Sequence, residues 1–187
     1  MPSNVEVKAR IVGARSSLVA RVRPMAQSHS FLHQQDTYFG AARGRLKMRQ
    51  QTLLREDGNA EEGPTATLYF YDRPDTEGPK RSDYDFLRFS TVDEALALKR
   101  LLSRSVGVRG VVRKRRHLFL VGQTRVHVDT VERLGDFVEL EVILKETQTT
   151  EEGQAIAQHL CEQLGIATDC LISGSYIDML PQETVWE

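Results

Sequence analysis

Five short stretches of the chain carry charge at the spacing of a β-strand. "NVEVK" sets Asn4, Glu6 and Lys8 two residues apart, and "GRLKMRQ" does the same with Arg45, Lys47 and Arg49. "VRKRRH" offers Lys114 and Arg116, "TRVHVDTV" offers Arg125, His127 and Asp129, and "DFVELEVIL" offers Glu139 and Glu141. Residues two apart on a strand share a face, so these stretches set charge on alternate residues, in most of them against Val, Leu or Met. Carboxylates such as Glu6, Glu139 and Glu141, gathered together, could hold Mg²⁺ or Mn²⁺, hard cations that take oxygen ligands. The basic set could hold phosphate oxygens, arginine through its planar fork and lysine as a point charge. The chemistry that uses both is that of a polyanion carrying its own cations.

A half-solvated antiparallel sheet shows the same alternation, and taken one strand at a time that reading is the simpler. The segregation of signs argues against it. Bases cluster on 45–49 and acids on 139–141, although like charges sharing a face repel and a surface charged for solubility mixes its signs. From the pattern alone, an outward polar face and a charged interior both remain open. The run "RGVVRKRRHLFL" has the composition of a nucleic-acid patch. A strand would split it, with Lys114 and Arg116 on one face and Arg113 and Arg115 on the other, so a nucleic-acid partner is not expected. His29 and His33 lie in a strand-like segment and are not expected to bind metal. His127 shares a strand face with Arg125 and Asp129 and is not expected to be catalytic, and Tyr176 in "GSYIDML" is expected to pack a helix. There is no Gly-rich phosphate loop, no HExxH and no nucleophile elbow.

The elements that must position these residues follow from the rest of the chain. Its 187 residues, 40% hydrophobic, suffice for one domain over 1–187, and a net charge of −1 confines any anion site to a local patch. No basic start leads into an apolar run and no apolar run could cross a bilayer, so a cytoplasmic protein without a membrane partner is expected. Strands are expected at 5–12, 31–39, 44–50, 66–72, 83–89, 107–113, 116–121, 124–131 and 136–144, with loops at 55–65 and 72–82. Helices are expected from Thr91, three residues before Glu94, with Leu98, Leu101 and Leu102 on its apolar side. A second should start at Thr149, before Glu152, and stop at Gly165. A short helix over 14–27, bent at Pro24, and another after Ser173 complete the set. Many antiparallel strands with few helices indicate an α+β chain, a large sheet or barrel with helices packed outside.

Taken in order, "VEVKARI", "QQDTYF", "GRLKMRQ", "YFYDRPDTEGPKRSDY", "RKRRHLFL", "VHVDTVERLGDFVELEV" and "GSYIDML" resemble the CYTH, or triphosphate tunnel metalloenzyme, superfamily. The similarity is greatest to its class IV (CyaB-type) adenylyl cyclase branch. That resemblance implies a closed antiparallel barrel of about eight strands with a charged bore and outer helices. It implies a divalent-metal-dependent enzyme that hydrolyses inorganic tripolyphosphate or a nucleoside or other organic triphosphate. It also admits a class IV adenylyl cyclase making cyclic AMP and pyrophosphate from ATP, or a non-catalytic polyphosphate-binding module. Carried over by position, Glu6 and Lys8 would be catalytic. Lys8, Arg45, Lys47, Arg49, Lys80, Lys114 and Arg116 would bind phosphate, and Glu6, Asp129, Glu139 and Glu141 would hold Mg²⁺ or Mn²⁺. Asn4 stands where the family's first signature glutamate falls, which would remove one anionic oxygen from the metal site. "TLYFYDR" has aromatics where thiamine triphosphatases place a lysine, so that dedicated activity is not implied. Monomer and homodimer are both compatible with the sequence.

Overall fold

The computed structural model describes residues 3–181. Eight strands make one closed ring: β1 (Ser3–Arg10), β2 (Ser28–Phe39), β3 (Arg45–Leu54), β4 (Thr65–Asp72), β5 (Lys80–Arg88), β6 (Val108–Val121), β7 (Thr124–Val131) and β8 (Gly135–Ile143). Their order around the barrel is β1-β5-β4-β3-β2-β6-β7-β8, and β8 returns to β1. Every neighbouring pair is antiparallel. The closed α+β barrel expected from the family resemblance is therefore the observed fold.

Alternation sends each strand's apolar side outward, where helices cover it. Val5, Val7, Val126, Val128, Leu140 and Val142 form one outer core with helix α1 (Arg15–Val22) and helix α3 (Thr150–Leu164), through Leu18, Val22, Ala157, Leu160 and Leu164. Helix α2 (Val92–Ser105) covers Phe39, Met48 and Ala66 with Ala95, Leu98 and Leu102. Leu101 was expected on that stripe and is instead 64% exposed. At 100° per residue it lies well off the line joining Ala95, Leu98 and Leu102. The expected capping boxes are present, Thr91 with Glu94 and Thr149 with Glu152. Gly165 ends α3 in the left-handed region at φ 66, a conformation that favours glycine.

The two strands expected at 107–113 and 116–121 are one strand of 14 residues. "VRKRRH" contains no turn former, and the whole of β6 pairs with the long β2, from Ser28↔Leu120 to Phe39↔Val108. Pro24 lies in a single 3-10 turn, Arg23–Met25, immediately after α1. Among the described residues no helix is long and apolar enough to cross a membrane.

After a 3-10 turn at Thr168–Cys170, the chain lies across one end of the barrel and includes helix α4 (Tyr176–Met179). Leu171 bridges Ala9, and the Ile172 N–H donates to the Lys8 carbonyl. Ser175 meets Tyr71, Tyr176 meets Asp129, and Asp178 accepts from Arg45 and Arg109. The Ser173 carbonyl accepts from Lys80. Those partners lie at the last residues of β1, β4 and β7 and the first of β3, β5 and β6, which in an antiparallel ring is one end. Tyr176 and Ile177 close it with Tyr38, Val112, Val131 and Phe137.

Candidate functional site: the charged bore

The inward faces enclose a cavity of about 300 Å³, at the small end of the usual range for ligand pockets. Its wall divides into three arcs that follow the strand order: acidic on β8 and β1 with His127 of β7 beside them, basic on β3 and β6 around Asp36 of β2, and aromatic on β4 and β5, where Arg88 also lines the cavity.

The acidic arc is built by register. Glu6 pairs across the ladder with Glu141, Lys8 with Glu139, and His127 with Glu139. Lys8 Nζ lies 3.1 Å and Arg116 Nη2 3.3 Å from the Glu139 carboxylate. Burial would raise the Glu139 carboxyl, but Lys8, His127 and Arg116 together hold it well below the usual range. Burial would raise Glu141 too, but His127, Arg125 and Arg116 together hold it low. Glu6 goes the other way: burial raises it, and the nearby Glu139 and Glu141 reinforce that against the Arg73 guanidinium. Burial and the Arg116 charge lower the His127 imidazole, leaving it neutral at pH 7 with a lone pair to offer. His127, Glu139 and Glu141 present ligand atoms within 4.8 Å of one another. Two ionised carboxylates and a neutral imidazole, with Glu6 beside them, form a donor set that fits a divalent cation.

The basic arc is organised on one carboxylate. Asp36 accepts from Arg49 Nε and Nη2 at 2.7 and 2.8 Å, from Lys114 Nζ at 2.8 Å and from Lys47 Nζ at 3.3 Å. Three cations share one buried anion, so this arc keeps an excess of positive charge. Burial, with Arg49 and Arg116 nearby, lowers Lys114 to about 7. Burial and Arg49 lower Lys47 to about 8.

Of the residues singled out from sequence, Glu6, Lys8, Lys47, Arg49, Lys114, Arg116, Glu139 and Glu141 line this cavity together. Arg45, Lys80 and Asp129 do not, because they stand at the strand ends crossed by the C-terminal segment. Arg45 is held by Asp75 and Asp178, and Lys80 donates to the carbonyls of Thr76 and Ser173. Both Asp129 oxygens are occupied, by Arg116 at 2.7 and 2.6 Å and by the Tyr176 hydroxyl at 2.8 Å. Tyr176, expected only to pack, also lines the bore, with its ring 4.1 Å from Lys8 Nζ. Arg113 and Arg115 point away from the bore while Lys114 and Arg116 line it, as the alternation requires.

Two residues escaped the sequence reading. Asp36 shares the inward face of "QQDTYF" with Gln34 and Tyr38, and that parity was the available signal. Arg73 donates to Glu6 at 2.6 Å from just beyond β4, in a proline-containing loop where no periodicity marks a direction. Asn4 does face the bore, and its Oδ1 is buried without a hydrogen-bond partner.

A family model described as CYTH domain matches residues 3–176. No curated protein matches the chain. Among solved structures, the PH1012 protein of Pyrococcus horikoshii is 22% identical with a TM-score of 0.74, covering 95% of this chain and 99% of that one. A candidate adenylate cyclase of Vibrio parahaemolyticus is 15% identical with a TM-score of 0.68, covering 94% and 96%. A candidate adenylyl cyclase of Hippeastrum, described as showing a dominant triphosphatase activity, is 17% identical with a TM-score of 0.59, covering 97% and 100%. At these identities the likeness is one of fold.

Two outcomes follow from the basic arc. Asp36→Asn leaves Arg49, Lys114 and Lys47 without their buried counter-ion, a change that costs about 3 kcal/mol in comparable pairs. Urea unfolding should show that loss, and added tripolyphosphate should recover part of it. Above about pH 8 both lysines are mostly neutral in the free protein, and phosphate oxygens favour their charged forms. Tripolyphosphate binding should then take up protons and weaken as pH rises. Calorimetry in buffers of different ionisation enthalpy measures that uptake, which should be smaller in Lys114→Met.

Proposed function

The chain belongs to the CYTH family, and from that premise we propose that it is a divalent-metal-dependent enzyme that processes triphosphates, by hydrolysis in the first instance. The observation that carries this reading is the pairing of an acidic arc with a basic arc inside one closed cavity. Neither arc alone implies a reaction; together they complement a phosphate chain with its cation.

Phosphoryl transfer needs little covalent help from a protein, and positioning with charge neutralisation supplies most of the rate. A bound Mg²⁺ or Mn²⁺ supplies Lewis-acid neutralisation of phosphate oxygens, and Glu6, Glu139 and Glu141 with His127 are the residues that would hold it. Lys8, at the boundary of acids and cavity, holds positive charge against both Glu139 and an incoming phosphate. Lys47, Arg49, Lys114 and Arg116 bind the chain and spread the charge that gathers on the leaving group. The ordered walls also exclude bulk water, which strengthens each of these attractions. The Hippeastrum protein's described triphosphatase activity supports hydrolysis as the first choice.

Cyclisation of ATP is the second reading, favoured by the motif similarity to class IV cyclases. It uses the same two arcs and differs in the acceptor, a ribose hydroxyl in place of water. The buried Arg73–Glu6 pair, beside Asn4, is what a binding module without turnover would also tolerate, so the assay must include equilibrium binding.

Purified protein with Mg²⁺ or Mn²⁺ and either tripolyphosphate or ATP should release free phosphate. Cyclic AMP as the main product would favour the cyclase, and tight binding without metal-dependent turnover would favour the module. Glu139→Gln should lower turnover at least about 100-fold, and chelation should abolish it. Asn4→Glu adds a carboxylate on the face that carries Glu6, and it should tighten Mn²⁺ binding about tenfold by calorimetry, roughly 1.4 kcal/mol. An unchanged affinity would place position 4 outside the metal shell.

A further inference from the structure

Outside the bore, the outer faces of β2 and β6 bring two imidazoles together. His29 shares its strand face with Phe31 and His33, and His117 shares its own with Arg115 and Phe119. Along the sequence His33 is the histidine nearest His29, but Phe31 stands between them on the strand. The fold supplies His117 instead: His29 Nε2 and His117 Nδ1 lie 2.9 Å apart, across 88 residues of sequence. Four rings stack in a row, Phe31 on His117, His117 on His29 and His29 on Phe119, with centres 4.5, 5.2 and 4.5 Å apart. Phe119 is fully buried with Leu18 and Val22 of α1, so one end of the stack is fixed. Rings packed in this way are positioned before any ligand arrives.

Both imidazoles are half-buried, and their surroundings keep them neutral at pH 7. Burial, with Arg23 nearby, lowers His29; burial, with His29, Arg15 and Arg23 nearby, lowers His117 to about 4. Glu56, on the loop after β3, opposes those arginines at both rings, and its carboxylate lies 3.1 Å from Arg23 Nη1. A neutral imidazole is the form that binds a metal. With metal–nitrogen bonds of about 2.0–2.1 Å, nitrogens 2.9 Å apart subtend about 90° at a shared ion. That is the cis angle of a square or tetragonal site and not the tetrahedral one. Nitrogen and oxygen donors in such a site select Cu²⁺ or Ni²⁺. Hard ions such as Mg²⁺ prefer oxygen, and gain nothing from imidazole to set against Arg15 and Arg23.

We propose that His29 and His117 form a metal site on the outside of the barrel, separate from the bore, which takes a single Cu²⁺ or Ni²⁺ ion in cis positions. The exposed Glu56 carboxylate, released from Arg23, is its oxygen ligand. The ion replaces the hydrogen bond between the rings. The donating ring's proton moves to its other nitrogen, both freed lone pairs turn to the ion, and no proton is released overall. A metal so held ties β2 to β6, the two longest strands, at the end of the barrel away from the C-terminal segment. The opposite faces of these strands carry Asp36, Lys114 and Arg116, so the clip stiffens the wall on which the basic arc is built.

Copper titration tests this whatever the bore turns over. By calorimetry the wild type should take up one Cu²⁺ more than His29→Gln or His117→Gln. Each substitution should weaken that site at least about 100-fold, the upper end of what loss of an outer-shell partner alone costs. The bore offers His127 and can take copper of its own, so the difference between proteins is the reading. Electron paramagnetic resonance of the extra ion should show coupling to two nitrogens. Circular dichroism reports that each variant is folded. In the wild type itself, paramagnetic copper should broaden the His29 and His117 ring signals before that of His33, a readout that needs no variant. Equal copper uptake by the three proteins, coupling to fewer than two nitrogens, or broadening of His33 first would each overturn the proposal.

Discussion

Charges enclosed by a ring of strands have little water to screen them, so each must be matched by another side chain. At an effective dielectric constant near 20, a contact ion pair interacts by about 4 kcal/mol, against about 1 kcal/mol in bulk water. The barrel meets this demand through register. Asp36 sits directly opposite Arg49, Lys8 and His127 opposite Glu139, Arg116 opposite Asp129 and Arg125 opposite Glu141. A slip of one residue on any of these strands would turn valines into the bore and unpaired charges into the helix-covered shell. The same pairings that neutralise the interior therefore also fix the alignment of the sheet.

The matching is incomplete where a ligand belongs. Buried ion pairs seldom stabilise a fold more than apolar residues would, so a bore full of them is a poor choice for stability alone. Asp36 serves three cations, and two of these are lysines driven toward neutrality by burial and by neighbouring arginines. A polyanion entering the cavity would recharge those lysines and relieve the crowding. The acids show the complementary condition, since Glu6 is raised partly by Glu139 and Glu141. Each arc is thus destabilised by itself in the sense that its natural ligand would correct.

Alternation in the sequence predicts the strands well, because period two is a local property. It does not say which face is inside. An open sheet and a closed ring give the same string of letters, and only pairings such as Lys8 with Glu139, over a hundred residues apart, separate them. Leu101 lies off the helix stripe that Leu98 and Leu102 share, and β6 runs unbroken through Lys114 and Arg115, between the two strands expected there. Arg45, Lys80 and Asp129 have the correct parity for the bore, yet their depth along the barrel depends on where the C-terminal segment crosses, which no strand pattern encodes. Arg73 lay outside any periodic element, so its partner Glu6 could be read and it could not.

The strand order has a consequence for how the chain is made. β1 lies between β5 and β8, so the first strand synthesised has no neighbour until much later segments exist. At about 5–20 residues per second, roughly 7–28 s separate the appearance of β1 from that of β8. Until β5 appears, roughly 4–16 s after β1 at the same rate, Val5, Val7 and Ala9 have no strand partner, an adhesive ribbon on a nascent polypeptide. Glu6 and Lys8, alternating with them, keep that ribbon soluble while it waits, which gives the same two side chains a duty before the bore exists.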